Sequence, residues 1–271
     1  MSIVSPKQNA VQKIALKIDV PTYRAALGVP RLTDLLRRHR AGASFVFALG
    51  PDWLGRQLGR RCADIFRQVR DEGFEVGVHG WNARHWVKRI ERADATWSAD
   101  QLKQAITTFE EVFATPPRLH AAPGWRSNPH SLRLTQRCNF TYASDTRGRH
   151  PFVPVWHGEI VRCPQIPTTL PTLDELADAN KRDQLLALTA KPAPGHVFSL
   201  RAEPGATQQV ELIEELLTGW REQGYELTSI QTLAGGLDVD RLPRHEIVSG
   251  SVPGRSGALL LQGDEFLSDW R

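Results

Sequence analysis

A chain of 271 residues, 41% hydrophobic and 24% charged, is long enough for one large α/β domain or two small ones, and its composition excludes a disordered or fibrous protein. The formal charge of +4 favours anionic partners such as phosphates or a membrane surface; no nucleic-acid partner is expected, and no apolar run reaches the roughly 20 residues that span a bilayer. Three widely spaced cysteines (Cys62, Cys138, Cys163) argue against a disulfide framework or zinc knuckle. With an N-terminus that lacks a signal-peptide core, they predict a cytoplasmic protein; any membrane contact would be peripheral, as on the inner face of an inner membrane.

Residues 1–12 read as a tail. "KIALKIDV" (13–20) then has the apolar, β-branched character of a buried strand. A helix follows over "VPRLTDLLRRHR" (29–40), with Pro30 in its first turn, then strands "ASFVFALG" (43–50) and "FEVGVHG" (74–80). "SADQLKQAITTFEEVF" (98–113) opens with Ser98 and Gln101 at capping-box spacing. Strands "RLHAAPG" (118–124), "FTYASD" (140–145) and "EIVRCPQIP" (159–167) come next, followed by a helix over 173–191. "GHVFSLRAE" (195–203), a helix over 208–223 and a last strand candidate "YELTSI" (225–230) complete the alternation. Strand and helix alternating some seven times mean a parallel sheet, and the length suits a barrel better than an open sheet. The expected fold is therefore α/β, a barrel of about seven parallel strands over 13–235, with the Gly/Pro-punctuated segment 236–271 packing on it.

In such barrels chemistry sits at the C-terminal strand ends. Those ends carry Asp19, His79, Trp125, Arg126, Asp145 with Arg147 in the following turn, Gln165, and Arg201 with Glu203. Two kinds of site fit these residue types. A metal centre would begin with His79, but the next histidine, His85, lies six positions on, roughly 240° round a helix. A binding rim would use the Trp125 face for a sugar and the guanidiniums of Arg126 and Arg147 for phosphate, with Asp145 accepting sugar hydroxyls. The same residues would also serve as an ion-pair network that braces strand ends.

The motifs "KIDV", "EVGVHGW", "AAPGWR", "SDTRG", "QIPTTLPT" and "LRAE" resemble the polysaccharide deacetylase (NodB-like) family over 13–257, and within it the branch of deformylases acting on undecaprenyl-phosphate 4-deoxy-4-formamido-L-arabinose in lipid A modification. The resemblance implies a distorted (β/α) barrel and amide hydrolysis on an amino sugar carried by a polyprenyl phosphate. It also implies a divalent metal, zinc or similar, held by one Asp and two His, with a second Asp as base and a separate His as acid.

Three of those five positions are changed here. Asp19 matches the base and His79 one metal ligand, but Pro21 and Ala83 stand where the other two ligands belong, and Arg201 stands for the acid histidine. Proline and alanine have no donor atom, and guanidinium does not give up its proton. His85 and His120 are the candidate substitute ligands. The expectation is a binding or regulatory relative, pseudoenzyme-like and without a resident metal, that holds a lipid-linked or soluble phosphorylated amino sugar. Two alternatives stand beside it: an active metal-dependent deformylase or deacetylase with a rearranged site, and a non-catalytic scaffold for the active enzyme. Trp53, Leu54, Arg56, Arg60 and Arg61 form either a small interfacial foot or part of an ordinary basic helix whose Leu58, Cys62 and Ile65 face the core.

Overall fold

The structure is a computed structural model and describes residues 11–177, 180–191, 193, 195–202 and 207–267. In chain order its elements are β1 (Lys13–Val20), α1 (Tyr23–Arg38), β2 (Ser44–Phe47), α2 (Leu58–Arg61), α3 (Ala63–Asp71), β3 (Glu75–Val78), α4 (Ala83–Arg89), α5 (Ala95–Phe113), β4 (Leu119–His120), α6 (Pro129–Arg137), β5 (Tyr142–Ala143), β6 (Val153–Trp156), β7 (Glu159–Ile160), α7 (Lys181–Thr189), β8 (His196–Arg201), α8 (Thr207–Glu222), β9 (Glu226–Thr228), α9 (Ile230–Ala234), β10 (Arg244–Gly250) and β11 (Leu259–Glu265).

β1 organises the barrel. β8 pairs with it over Ile14–Asp19, β9 pairs with its first residues, β2 with its last, and β3, β4 and β5 follow outward from β2, every pair parallel. The opening between β5 and β8 is closed by the extended segment 164–170. Ile166 N–H donates to Ala143 O (2.7 Å), Thr168 N–H to Thr146 O (3.0 Å) and Leu170 N–H to Val197 O (3.1 Å). Pro164, Pro167 and Pro171 have no N–H to give to a ladder, so this edge is irregular and the barrel distorted. The chain thus forms the distorted (β/α) barrel expected. The strand read over 159–167 splits, however, into the short antiparallel β7 and this prolyl closure.

Alternation along β1 sorts the core. Ile14, Leu16, Ile18 and Val20 face the helices and pack with Val29, Leu32, Leu35 and Leu36 of α1. Ala15 joins Val46, Leu119, Ala121, Tyr142, Ile166, Val197 and Ile230 in a separate apolar cluster. Beside that cluster Glu75 is held by Ser44 Oγ, by Tyr142 OH (2.5 Å) and by Gln231 N–H (2.8 Å) from the first turn of α9; burial pushes its carboxyl above the ordinary range.

Two helix starts differ from the sequence reading. α1 begins at Tyr23, because Thr22 Oγ1 caps Ala25 N–H (3.2 Å), and Pro30 lies inside it rather than in its first turn. α5 begins at Ala95, where Asp94 Oδ1 accepts from Trp97 N–H (2.8 Å); Ser98 is buried and donates to Asp94 O instead of capping. The capping box of this protein is at α6, where Asn128 and Ser131 satisfy each other's backbone N–H groups. The C-terminal segment forms the hairpin β10–β11, which joins β6 and β7 in a second sheet. Among the described residues no helix is long and apolar enough to cross a membrane.

Candidate ligand-binding cleft

A cleft opens at the C-terminal ends of the barrel strands and has two lobes, of about 320 and 520 Å³. His79, Gly124, Asp174, Arg201 and Arg255 border both.

Asp19 and His79 come from the strand ends of β1 and β3. Asp19 Oδ2 accepts from Ser199 Oγ (3.2 Å), and Lys17 Nζ lies 3.9 Å from Oδ1. Lys17 is itself 1% exposed, and burial lowers its pKa against the opposing pull of Asp19 and Asp145. His79 Nδ1 donates to Ala121 O (3.0 Å), which assigns the proton to Nδ1 and leaves Nε2 as the acceptor. Burial holds the imidazole down to about 4, with Asp19 working the other way, so at neutral pH His79 is uncharged.

Arg201 ends β8 directly beside Asp19 in the β1–β8 register. It is exposed, and among the described residues no carboxylate pairs with it; the carboxylate of Asp19 is met from inside the barrel by Lys17. Asp19 and Arg201, neighbours in the strand register, form no ion pair across the mouth.

The wall is built on Trp125. Gly124 and Trp125 both have positive φ (65° and 53°), a sharp turn in which glycine takes the first position at no steric cost and tryptophan takes the second under strain. Trp125 is held there by Nε1–H donating to Thr168 Oγ1 (3.0 Å) and by three cations around its ring: Arg255 at 4.6 Å, Lys17 at 4.7 Å and Arg147 at 5.0 Å from the centroid. Each such contact stabilises by about 0.5–2 kcal/mol. At 3% exposure Trp125 is an enclosed wall residue rather than an open stacking face.

Arg147 uses its donors within the protein: NH1 to Glu175 (2.6 Å), NH2 to Leu170 O (3.0 Å) and Nε to Thr168 O (3.2 Å). These contacts are those of the bracing alternative rather than of an open phosphate site. Asp145 and Gln165 lie fully buried behind the wall. Asp145 Oδ1 accepts from Ala122 N–H (2.7 Å) and from His120 Nδ1 (2.8 Å), and Gln165 Oε1 accepts from Asp145 N–H (2.9 Å); neither residue borders either lobe. Arg126 borders the larger lobe but is partly committed, to Ser256 O (2.8 Å) and Glu91 (3.4 Å). Glu203 lies outside the described residues.

The donor set does not fit the divalent metal that the resemblance implies. Pro21 and Ala83 border the larger lobe beside His79 and offer no donor. His85 is exposed on α4 and borders neither lobe. His120 is buried, its ring 5.4 Å from Phe140 and 5.9 Å from Trp86, and tied to Asp145. Neither histidine completes the set, and among the described residues no three His, Cys, Asp or Glu side chains converge. Three contributors escaped the sequence reading. Lys17 and Ser199 each lie two residues before a strand end already singled out, on the same face, so period-2 alternation would have found them. Arg255 comes from the C-terminal segment, where no strand end pointed to it.

A parallel barrel with an aspartate and a histidine at strand ends facing one cleft is the frame of a deacetylase-type protein. The chain belongs to the polysaccharide deacetylase family, whose description matches residues 8–143. It is 29% identical, over 93% of its own length and 95% of the relative's, to a Shewanella sediminis protein named "Probable 4-deoxy-4-formamido-L-arabinose-phosphoundecaprenol deformylase ArnD". A protein of the same name from Wigglesworthia glossinidia brevipalpis is 24% identical over 87% of this chain and 97% of that relative. Among solved structures, one from Mycobacterium smegmatis classed as a polysaccharide deacetylase superposes with a TM-score of 0.69 at 17% identity, covering 92% of this chain and 98% of that one.

Proposed function

We propose that this protein binds a phosphate-linked amino sugar in the two-lobed cleft and does not carry out the metal-dependent hydrolysis of its family. The observation that carries the reading is Arg201: an exposed guanidinium that no carboxylate pairs with among the described residues, bordering both lobes together with His79 and beside Asp19 in the strand register. A guanidinium there suits the bidentate recognition of a phosphate or carboxylate. It also opposes a dication, since unit charges about 4 Å apart interact by about 4 kcal/mol near a protein surface. The ligand class comes from the relatives, whose names place a formamido-arabinose on phosphoundecaprenol. The Asp19 carboxylate, whose side chain is 16% exposed at the smaller lobe, and the acceptor Nε2 of His79 are then the groups that meet sugar hydroxyls or an amide N–H.

The test is calorimetric titration with a soluble short-chain polyprenyl-phosphate amino sugar. Wild type is expected to bind saturably. Arg201→Ala, which removes a charge-assisted contact, is expected to bind about ten- to a hundredfold more weakly. Amide hydrolysis of that compound by the unmodified protein, or the absence of binding, refutes the proposal.

A further inference from the structure

Trp53 and Leu54, adjacent in sequence, are 66% and 55% exposed. The turn that presents them is fixed. The buried carboxylate of Asp52 accepts from Leu54 N–H (2.9 Å), Arg56 N–H (3.0 Å) and Arg56 Nε (2.7 Å), and Arg56 lies over the Tyr23 ring at 4.4 Å. Leu58 and Cys62 just beyond are buried and anchor the turn to the core. Two large apolar side chains are therefore held in water by a frame that gives them no route inward.

Around them lie cations. Arg60 and Arg61 of α2 and Arg84 and Lys88 of α4 are exposed and make no ion pair among the described residues. Trp53, Arg84 and Lys88 all border the larger lobe, so the apolar tip and the mouth of the cleft share one end of the molecule. Of the carboxylates bordering that lobe, Asp52 is paired with Arg56 and Asp174 lies 4.0 Å from Arg255.

We infer that this tip docks on an anionic phospholipid bilayer, with Trp53 and Leu54 entering the boundary between headgroups and acyl chains and the four cations over the lipid phosphates. An aromatic and an aliphatic side chain, with Arg60 and Arg61 close in sequence and Arg84 and Lys88 on the same lobe as Trp53, match that interface in both polarity and charge. A protein partner fits less well, because a stable protein interface buries about 1,200–2,000 Å², far more than two side chains offer. Docked this way, the larger lobe opens at the membrane surface, where the headgroup of a lipid-linked sugar would lie; that orientation rests on the proposed ligand, whereas the docking does not.

The test is co-sedimentation of the full chain with vesicles of phosphatidylcholine alone and of equal parts phosphatidylcholine and phosphatidylglycerol. Binding is expected to the anionic vesicles and to fall with added salt. Trp53→Ser/Leu54→Ser and Arg84→Glu/Lys88→Glu are each expected to weaken it about tenfold or more, with the melting temperature unchanged. Failure to bind anionic vesicles, equal binding to neutral ones, or undiminished binding by both variants overturns the inference. Titration of the soluble short-chain sugar without vesicles separates the two proposals. A protein that binds vesicles but not the sugar keeps the docking and loses the ligand, and the reverse result loses the docking alone.

Discussion

Replacing His79 by asparagine tests the electrostatic reading of the cleft. Asparagine places its amide N–H near the position of Nδ1, so the bond to Ala121 O is kept, and it removes the imidazole's proton site. In the folded protein burial holds the imidazole down to about 4, from 6.5 in the unfolded chain. Between those values the unfolded chain binds the proton and the folded chain does not, so stability rises with pH across the window. The contribution is complete above about pH 6.5 and is lost as pH falls toward 4. At 1.36 kcal/mol per unit, the shift corresponds to about 3 kcal/mol. Urea unfolding at a series of pH values should therefore show wild type losing about 3 kcal/mol more than His79→Asn between pH 6.5 and 4. Glu75, held high by burial, and Glu175 and Asp52, held low by arginines against burial, are common to both proteins and cancel in the difference. Parallel stability curves for the two proteins would refute a buried, neutral His79.

Arg147→Ala should destabilise by about 2–4 kcal/mol in urea unfolding, because Glu175, 2% exposed, would keep only Arg255 and Trp125 would lose a cation; Arg147→Lys should recover only part of this, since one ammonium cannot replace three directed donors. Zinc, cobalt or manganese should leave the melting temperature unchanged, whereas a metal bound at a hundred times its dissociation constant would add roughly 2.7 kcal/mol. The triple variant Pro21→Asp/Ala83→His/Arg201→His should acquire a metal-dependent melting shift, since all three positions border the lobe that holds His79. Gly124→Ala should cost about 1–2 kcal/mol, because alanine would be forced to φ 65° with its Cβ 3.3 Å from Val87 Cγ2.

The barrel was legible in the sequence because buried parallel strands are continuous apolar runs, and β1, β2, β3 and β8 all lie within the segments so read. Helix starts were less legible. The Ser98–Gln101 spacing mimics a capping box, but Asp94 lies one turn earlier and accepts the first free N–H, so the helix begins there and Ser98 is carried inside. The site was half legible for a related reason. A strand end predicts where a residue sits, not whether its polar atoms are already used. Asp19, His79 and Arg201 reach the cleft; Asp145, Gln165 and Arg147 sit at comparable ends but border neither lobe, and Asp145 Oδ1, Gln165 Oε1 and the Arg147 guanidinium are engaged by Ala122, His120, the Asp145 N–H, Glu175 and neighbouring carbonyls. No local pattern separates the two groups, because the partners lie 20 to 28 residues away along the chain.

The positions that changed and those that did not differ in what else they hold. Asp145 ties the end of β4 to the end of β5, and Gln165 fastens that junction to the closing segment. Arg147 and Arg255 share Glu175, joining the region after β5, the turn at 172–175 and the C-terminal segment around Trp125. Removing any of them takes a partner from a buried carboxylate, imidazole or amide, at a cost of about 1–3 kcal/mol in a protein stable by about ten. Pro21 precedes the Thr22 cap and Ala83 follows the Asn82 cap, so neither position supplies the capping side chain of its helix. Arg201 faces solvent. These three positions carry chemistry without carrying the wall, so the metal-binding and proton-donating groups can be exchanged while the cleft keeps its shape. Under the proposed function, changes at these three positions alone would give up hydrolysis and leave the cleft in place, with the guanidinium of Arg201 bordering both lobes.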